Sequence, residues 1–253
     1  MSRTTKSRAV MIAITEFHNR PGASSTTLEA RKGVKHDMKR LHKVLSKLGF
    51  EVSLHTDVSR SEIREIYQKE NRKPQGDCFI SIFSSHGEEG IIYDFYGEPV
   101  MLRDLYDWIS PHNTPSLSGI PKLFFIQACR GSQLDEGTVV ETDSAPVNIS
   151  AFSHIDFLPR DTMVMLRLLI SLIVVSLYVS GYAAFNNPSG SFFLKTLCDL
   201  LSGSEKDLEL TQLLTRLAYW VAYNFESNGR NGGYKEMPCF ITNLTRELYP
   251  FRR

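Results

Sequence analysis

Two short stretches end on residues whose chemistry is complementary. "CFISIFSSHGEEG" loses its apolar character at Ser84 and Ser85, and His86 and Gly87 follow. "KLFFIQACRG" stops at Gln127, and Cys129 follows. A thiolate is the reactive form of cysteine, and a nearby imidazolium lowers the thiol pKa from about 8.5. The histidine can then protonate the leaving amine of an acyl transfer. Gly87 allows close approach of a backbone amide to a substrate carbonyl, and with the Cys129 amide it would form an oxyanion hole. The alternative is structural: Cys129 as a small buried hydrophobe and His86 as a hydrogen-bonded surface group. Residue types alone leave both open. What favours pairing is that each follows a strand-like run and each has a glycine close by.

The elements that would position them follow a regular order. "AVMIAI" (Ala9 to Ile14) reads as a buried strand, followed by a Gly/Ser/Thr-rich loop. Met38, Leu41, Val44, Leu45 and Leu48 recur at helical spacing, and Gly49 supplies a stop. "FEVSLHT" is a strand, and "SRSEIREIYQKEN" is a helix begun by a serine cap. "DCFISIFSS" is a near-continuous apolar run, as in a strand covered on both faces. "LRDLYDWI" is a short helix and "KLFFIQA" another buried strand. Strand and helix alternating in this way imply an α/β fold with a mostly parallel sheet and helices on its faces. Sites in such sheets gather at the carboxyl ends of strands, where His86 and Cys129 both fall.

After Gly131 the pattern stops. "SQLDEGTVVETDSAPVNISAFSHID" is polar, acidic and without period, and reads as an exposed linker. Beyond it come an apolar segment, two helices ("SGSFFLKTLCDLLSG" and "LELTQLLTRLAYWVAYNF") and a strand, "MPCFITNLT". The apolar segment, "LRLLISLIVVSLYVSGYAA", competes as a membrane anchor over residues 168–184. A membrane helix needs roughly 20 apolar residues, and this run is interrupted by Ser171, Ser176, Ser180 and Gly181, which favours buried core elements.

Composition excludes several classes. The 253 residues suffice for one large α/β domain or two small ones, and 42% hydrophobic with 23% charged residues is ordinary for a globular protein. A net charge of +1 provides no global field for nucleic acid or an acidic membrane. The four cysteines show no CxxC pair and no zinc spacing, and the N-terminus does not resemble a signal peptide. The expectation is a reducing cytosol with free thiols.

"QACRG" matches Q-A-C-[RQG]-G, a signature of the caspases, whose histidine lies about 50 residues upstream. "SHGEEG" resembles the caspase histidine motif, and "ARKG" (Ala30 to Gly33) the arginine loop after the first strand. "ETDS" resembles an activation cleavage site, and "GSFFLKTLCDLL" and "MPCFITNLTRELYPF" resemble small-subunit elements. The resemblance runs from Ala9 to Phe251. It implies a caspase-like fold with a sheet of about six strands and a large subunit over 9–143 behind a short N-terminal peptide, 1–8. An intersubunit linker, 144–160, and a small subunit, 161–253, would follow. The implied activity is a cysteine endopeptidase that cuts after aspartate in programmed cell death, with no metal or organic cofactor. Cys129 would be the nucleophile, His86 its partner, and Gly87 with Cys129 the oxyanion hole. Arg31 and Gln127 match an arginine and a glutamine of the pocket for the substrate aspartate. A guanidinium fork suits a carboxylate, and a neutral amide adds a donor.

The resemblance further implies a short-prodomain, executioner-type zymogen cut after Asp143, with Asp156 a second linker site. The implied partners are protein substrates with a P1 aspartate, an upstream activating caspase, inhibitor-of-apoptosis proteins and a second copy bound through residues 237–245.

The small subunit departs from the pattern. The apolar run lengthens it near 166–180. Where the family has a second pocket arginine, this chain has Asn186, between Phe185 and Asn187. These changes point either to an active enzyme of altered specificity or to a catalytically impaired homologue that acts as a dimerising regulator. A third outcome is a disrupted small subunit.

Overall fold

The computed structural model describes residues 5–18, 28–74, 76–88, 90–128, 172–177, 190–226 and 238–252. Its main sheet contains β1 (Arg8–Ala13), β2 (Glu51–Thr56), β3 (Phe79–Ser84), β7 (Lys122–Gln127), β8 (Leu172–Leu177) and β9 (Pro238–Thr242). The strand order is β2-β1-β3-β7-β8-β9. The first five strands are parallel, and β9 runs antiparallel along β8. Every residue of β1, β3 and β7 is buried, as their unbroken apolar runs require of strands covered on both sides.

Two cores flank the sheet. On one side α1 (Val34–Lys47), α4 (Phe192–Ser202) and α5 (Leu210–Asn224) pack Leu41, Leu45, Leu197, Leu201 and Leu214 against Met11, Ile82 and Phe125. On the other side α2 (Arg60–Glu70) and α3 (Leu102–Trp108) pack Ile63, Tyr67 and Leu105 against Ile12, Phe83 and Phe124. The sequence-based α/β expectation is met, with helices on both faces.

Helix ends follow local chemistry. Gly49, at φ 76°, closes α1: its amide donates to Ser46 O at 2.9 Å, and the Phe50 amide reaches Leu45 O at 3.0 Å. That pair of bonds satisfies the last carbonyls, and the left-handed conformation favours glycine. Ser59 and Glu62 form a reciprocal capping box at the start of α2.

The structure decides between the two readings of the apolar run and adds a feature the sequence did not show. The apolar run near 166–180 contributes β8, a strand hydrogen-bonded between β7 and β9. A membrane helix over 168–184 is therefore not formed at residues 172–177, and no described helix is long and apolar enough to cross a membrane. A second sheet of β4 (Gly87–Glu88), β5 (Ile91–Tyr93) and β6 (Pro99–Met101) follows His86. Strands of two or three residues are too short to carry a readable period.

Candidate active site

The parallel register brings the ends of β1, β3 and β7 side by side: Ala13 faces Ser84, and Ser84 faces Gln127. The pairing extends one step further, since the Ser85 amide donates to Gln127 O at 3.1 Å. His86 follows directly, and Cys129 is two residues beyond the end of β7 in sequence. Cys129, Phe185, Asn186, Asn187, Asp143 and Asp156 lie outside the described residues.

His86 is held by three contacts. Its ring stacks on Phe17 with centroids 5.0 Å apart. Its main-chain carbonyl accepts from the Tyr93 amide at 2.9 Å, tying it to the small sheet. Its Nε2 lies 2.9 Å from Glu29 O. A carbonyl oxygen can only accept, so Nε2 carries a proton and Nδ1 is the basic nitrogen of the neutral ring. Burial lowers the His86 pKa below 6.5, and the neighbouring Arg31 charge acts in the same direction. The Glu29 carbonyl opposes them. The neutral ring is thus the favoured form at pH 7, as a proton acceptor for a thiol requires.

Gly87 sits where a side chain has no room. A Cβ there would stand 2.5 Å from Ile91 O and 3.1 Å from the Ala128 Cβ. The histidine turn thereby comes into close contact with the residue preceding Cys129.

Arg31, in the loop between β1 and α1, is buried, with 9% of its surface exposed. Its amide donates to Thr15 O at 2.9 Å, and its Nη1 donates to Ser84 Oγ at 3.0 Å and to Ile14 O at 3.3 Å. The guanidinium is thus pinned across the ends of β1 and β3. Gln127 is 2% exposed, and its Oε1 accepts from Ser191 Oγ at 2.8 Å. Ser191, the N-cap of α4, also donates its amide to Asp37 Oδ2 at 2.8 Å. Burial raises the Asp37 pKa to about 6, against the opposing effects of the Ser191 amide and the Arg40, Arg31 and His36 charges. Arg31 therefore lies within electrostatic reach of both His86 and Asp37.

Of the residues expected from sequence, His86, Gly87, Arg31 and Gln127 come together at one end of the sheet. Glu29, Phe17, Ser84, Asp37 and Ser191 were not foreseen. Asp37 carried a usable signal: it falls on the apolar stripe of α1 between Val34 and Leu41, where an unpaired carboxylate would be costly. Glu29 acts through its backbone carbonyl, Phe17 by stacking, Ser84 through its hydroxyl and Ser191 as a helix cap, none of which a spacing rule reveals. The remaining thiols among those described, Cys78 and Cys198, are buried, and burial pushes both up to about 12, which leaves them inert.

A mostly parallel sheet thus carries a histidine turn, a buried arginine and a buried glutamine at the carboxyl ends of adjacent strands. Comparison with known proteins places it. The sequence profile of the caspase domain matches residues 6–249. Caspase-7 of Gallus gallus is 36% identical over 241 residues, covering 92% of this chain and 75% of that protein. Caspase-3 of Felis catus is 34% identical over 242 residues, covering 92% and 81%. The crystal structure of Caspase-1 from Spodoptera frugiperda superposes with a TM-score of 0.76 at 28% identity, covering 98% of this chain and 91% of that one. The chain belongs to the caspase family, a family of cysteine-type peptidases.

Proposed function

We propose that this chain is a cysteine endopeptidase that cleaves proteins after aspartate. It is made as a zymogen, activated by cleavage at Asp143 and secondarily at Asp156, and acts in the cytoplasm as an executioner of apoptosis. The observation that carries the reading is the convergence of His86, Gly87, Arg31 and Gln127 at adjacent strand ends, with Cys129 two residues past the last of them.

The chemistry runs in balanced steps. The Cys129 thiol proton passes to His86 Nδ1, and the thiolate sulfur bonds to the scissile carbonyl carbon. The Gly87 and Cys129 amides stabilise the resulting oxyanion. His86 returns the proton to the amine as the peptide C–N bond breaks, leaving a thioester and a free amine. Water, deprotonated by His86, attacks the thioester and releases the carboxylic acid and the thiol. Arg31 and Gln127 bind the aspartate side chain, the first by charge and the second as an amide donor. Phe185, Asn186 and Asn187 line the substrate from the small subunit, and no cofactor takes part. The expected partners are substrates with a P1 aspartate, an upstream caspase, inhibitor-of-apoptosis proteins and a second copy. β9, at the edge of the described sheet, supports a homodimer through 237–245, since strands at a sheet edge are templates for pairing with another chain.

Asn186 favours a second reading, a catalytically impaired homologue acting through dimerisation. Loss of one charge-assisted contact costs about 10- to 1000-fold in kcat/KM. The test is turnover of a fluorogenic peptide ending in aspartate by chain cleaved after Asp143. Activity that Cys129→Ala abolishes is expected. No activity in the parent with recovery in Asn186→Arg would place the defect in the pocket. Silence in both, from folded protein, would refute the enzyme.

A further inference from the structure

We propose that Ser191 is a positioning residue that sets which end of the Gln127 amide is available to a substrate carboxylate. The inference rests on the protease reading for the identity of that carboxylate, but its geometry does not.

A glutamine amide has two faces of opposite chemistry. Nε2 donates to an anion, whereas Oε1 repels it. Gln127 is therefore useful in an aspartate pocket in one orientation only. Ser191 decides between them. Its Oγ accepts from the Leu194 amide at 3.3 Å as the N-cap of α4, and its single proton goes to Gln127 Oε1 at 2.8 Å. With the amide reversed, Nε2 would donate to Oγ, and the Ser191 proton would lose its acceptor. Ser191 is 1% exposed, so water would not replace that acceptor. A buried donor left unpaired is disfavoured, and the observed orientation follows. Oε1 is thereby occupied, so that in the proposal Nε2 is the end of the amide offered to an anion.

Ser191 is itself placed by α1. The Asp37 carboxylate accepts its amide, and the preceding Gly190, at φ 110°, lets the chain pass so close that a Cβ there would overlap Asp37 Oδ1. Asp37 and Gln127 precede the linker and Ser191 follows it. The orientation of a large-subunit pocket residue is thus set by the N-cap residue of a small-subunit helix.

The experiment uses full-length chain cleaved after Asp143. A free-acid peptide ending in aspartate is titrated by calorimetry into the Cys129→Ala protein, and kcat and KM are measured with Cys129 intact. Ser191→Ala is expected to raise the peptide Kd and KM about tenfold while leaving kcat nearly unchanged. Ser191→Thr, which keeps the hydroxyl, restores both. Ser191→Gly keeps an acceptable helix cap and so guards against loss of folding. It should bind as weakly as Ser191→Ala despite a higher Tm. On a Gln127→Ala background, Ser191→Ala should add less than about twofold, because its effect passes through the amide. Full multiplication of the two effects would overturn the proposal, as would a Ser191→Thr variant as weak as Ser191→Ala. Failure of the Cys129→Ala chain to bind the peptide would also overturn it. Binding that follows the predicted pattern without turnover in the Cys129-intact chain would refute the protease and leave the positioning role standing.

Discussion

The Asp37 carboxyl gives a sharp thermodynamic prediction. It is 3% exposed, and burial raises its pKa from 3.8 to about 6. A raised folded-state value means that the native protein holds this proton more tightly than the unfolded chain does. The group's contribution to stability is then fully present below pH 3.8 and is lost as pH rises through about 6. The interval corresponds to about 3 kcal/mol. Other carboxyls oppose it: Glu51 and Glu62 have pKa values lowered by hydrogen bonds from Arg8 and Ser59, so they favour folding as pH rises. Total stability therefore does not isolate Asp37, but a difference does. Asp37→Asn keeps an oxygen to accept the Ser191 amide and cannot ionise. Urea unfolding of the Cys129→Ala chain, with and without Asp37→Asn, would be followed at pH 4 and pH 7. Between pH 4, where part of the effect is already lost, and pH 7 the stability difference between the two proteins should move by about 2 kcal/mol in favour of Asp37→Asn. A difference that stays constant within about 0.5 kcal/mol would refute the argument that this carboxylate is charged at a desolvated site.

Three further outcomes are expected. Glu70, 1% exposed, accepts from Arg8 Nε at 2.5 Å and Lys73 Nζ at 2.6 Å, so Glu70→Ala should cost about 3 kcal/mol in urea unfolding by stranding buried charge. Gly87→Ala should reduce kcat/KM by more than about tenfold while the protein still folds, because the added Cβ meets Ile91 O and Ala128 beside the histidine turn. The acid limb of the pH profile of kcat/KM should fall below pH 6.5, since burial lowers the His86 pKa and the neutral ring is the working form.

Much of this arrangement was legible because it is periodic or punctuated. The buried strands β1, β3 and β7 announce themselves as unbroken apolar runs, and α1 by leucines at helical spacing ending on Gly49. His86 and Cys129 were found because they sit where such runs stop, whereas Arg31 and Gln127 were picked out only by the resemblance to caspase motifs. What stayed hidden is pairwise. Nothing in "EARKG" says that the Glu29 carbonyl will meet an imidazole 57 positions on, or that the Arg31 guanidinium will reach Ser84. The apolar run after the linker was ambiguous for a different reason. Continuous hydrophobicity suits a strand in a covered sheet and a buried or membrane helix alike, and only pairing with β7 and β9 decides for the strand at Leu172–Leu177.

The same pairings bear on how the zymogen proposed above would keep its site once its chain is cut. The proposed cleavage falls between β7 and β8, which are parallel neighbours over Lys122–Ile126 and Leu172–Ser176. A parallel pair needs a long crossover, not a tight turn, so opening that connection releases no strand from the ladder. Leu41 and Leu45 of α1 share one core with Phe193, Leu197 and Leu201 of α4, and this apolar contact also survives the cut. At roughly 25 cal/mol per Å² of buried apolar surface, several fully buried leucines and phenylalanines outweigh the entropy released by freeing two chain ends. Ser191 also joins Asp37 and Gln127 across the proposed linker. In the proposed zymogen the linker is thus dispensable for holding the strand ends together, and a cut after Asp143 leaves the sheet that carries His86 paired.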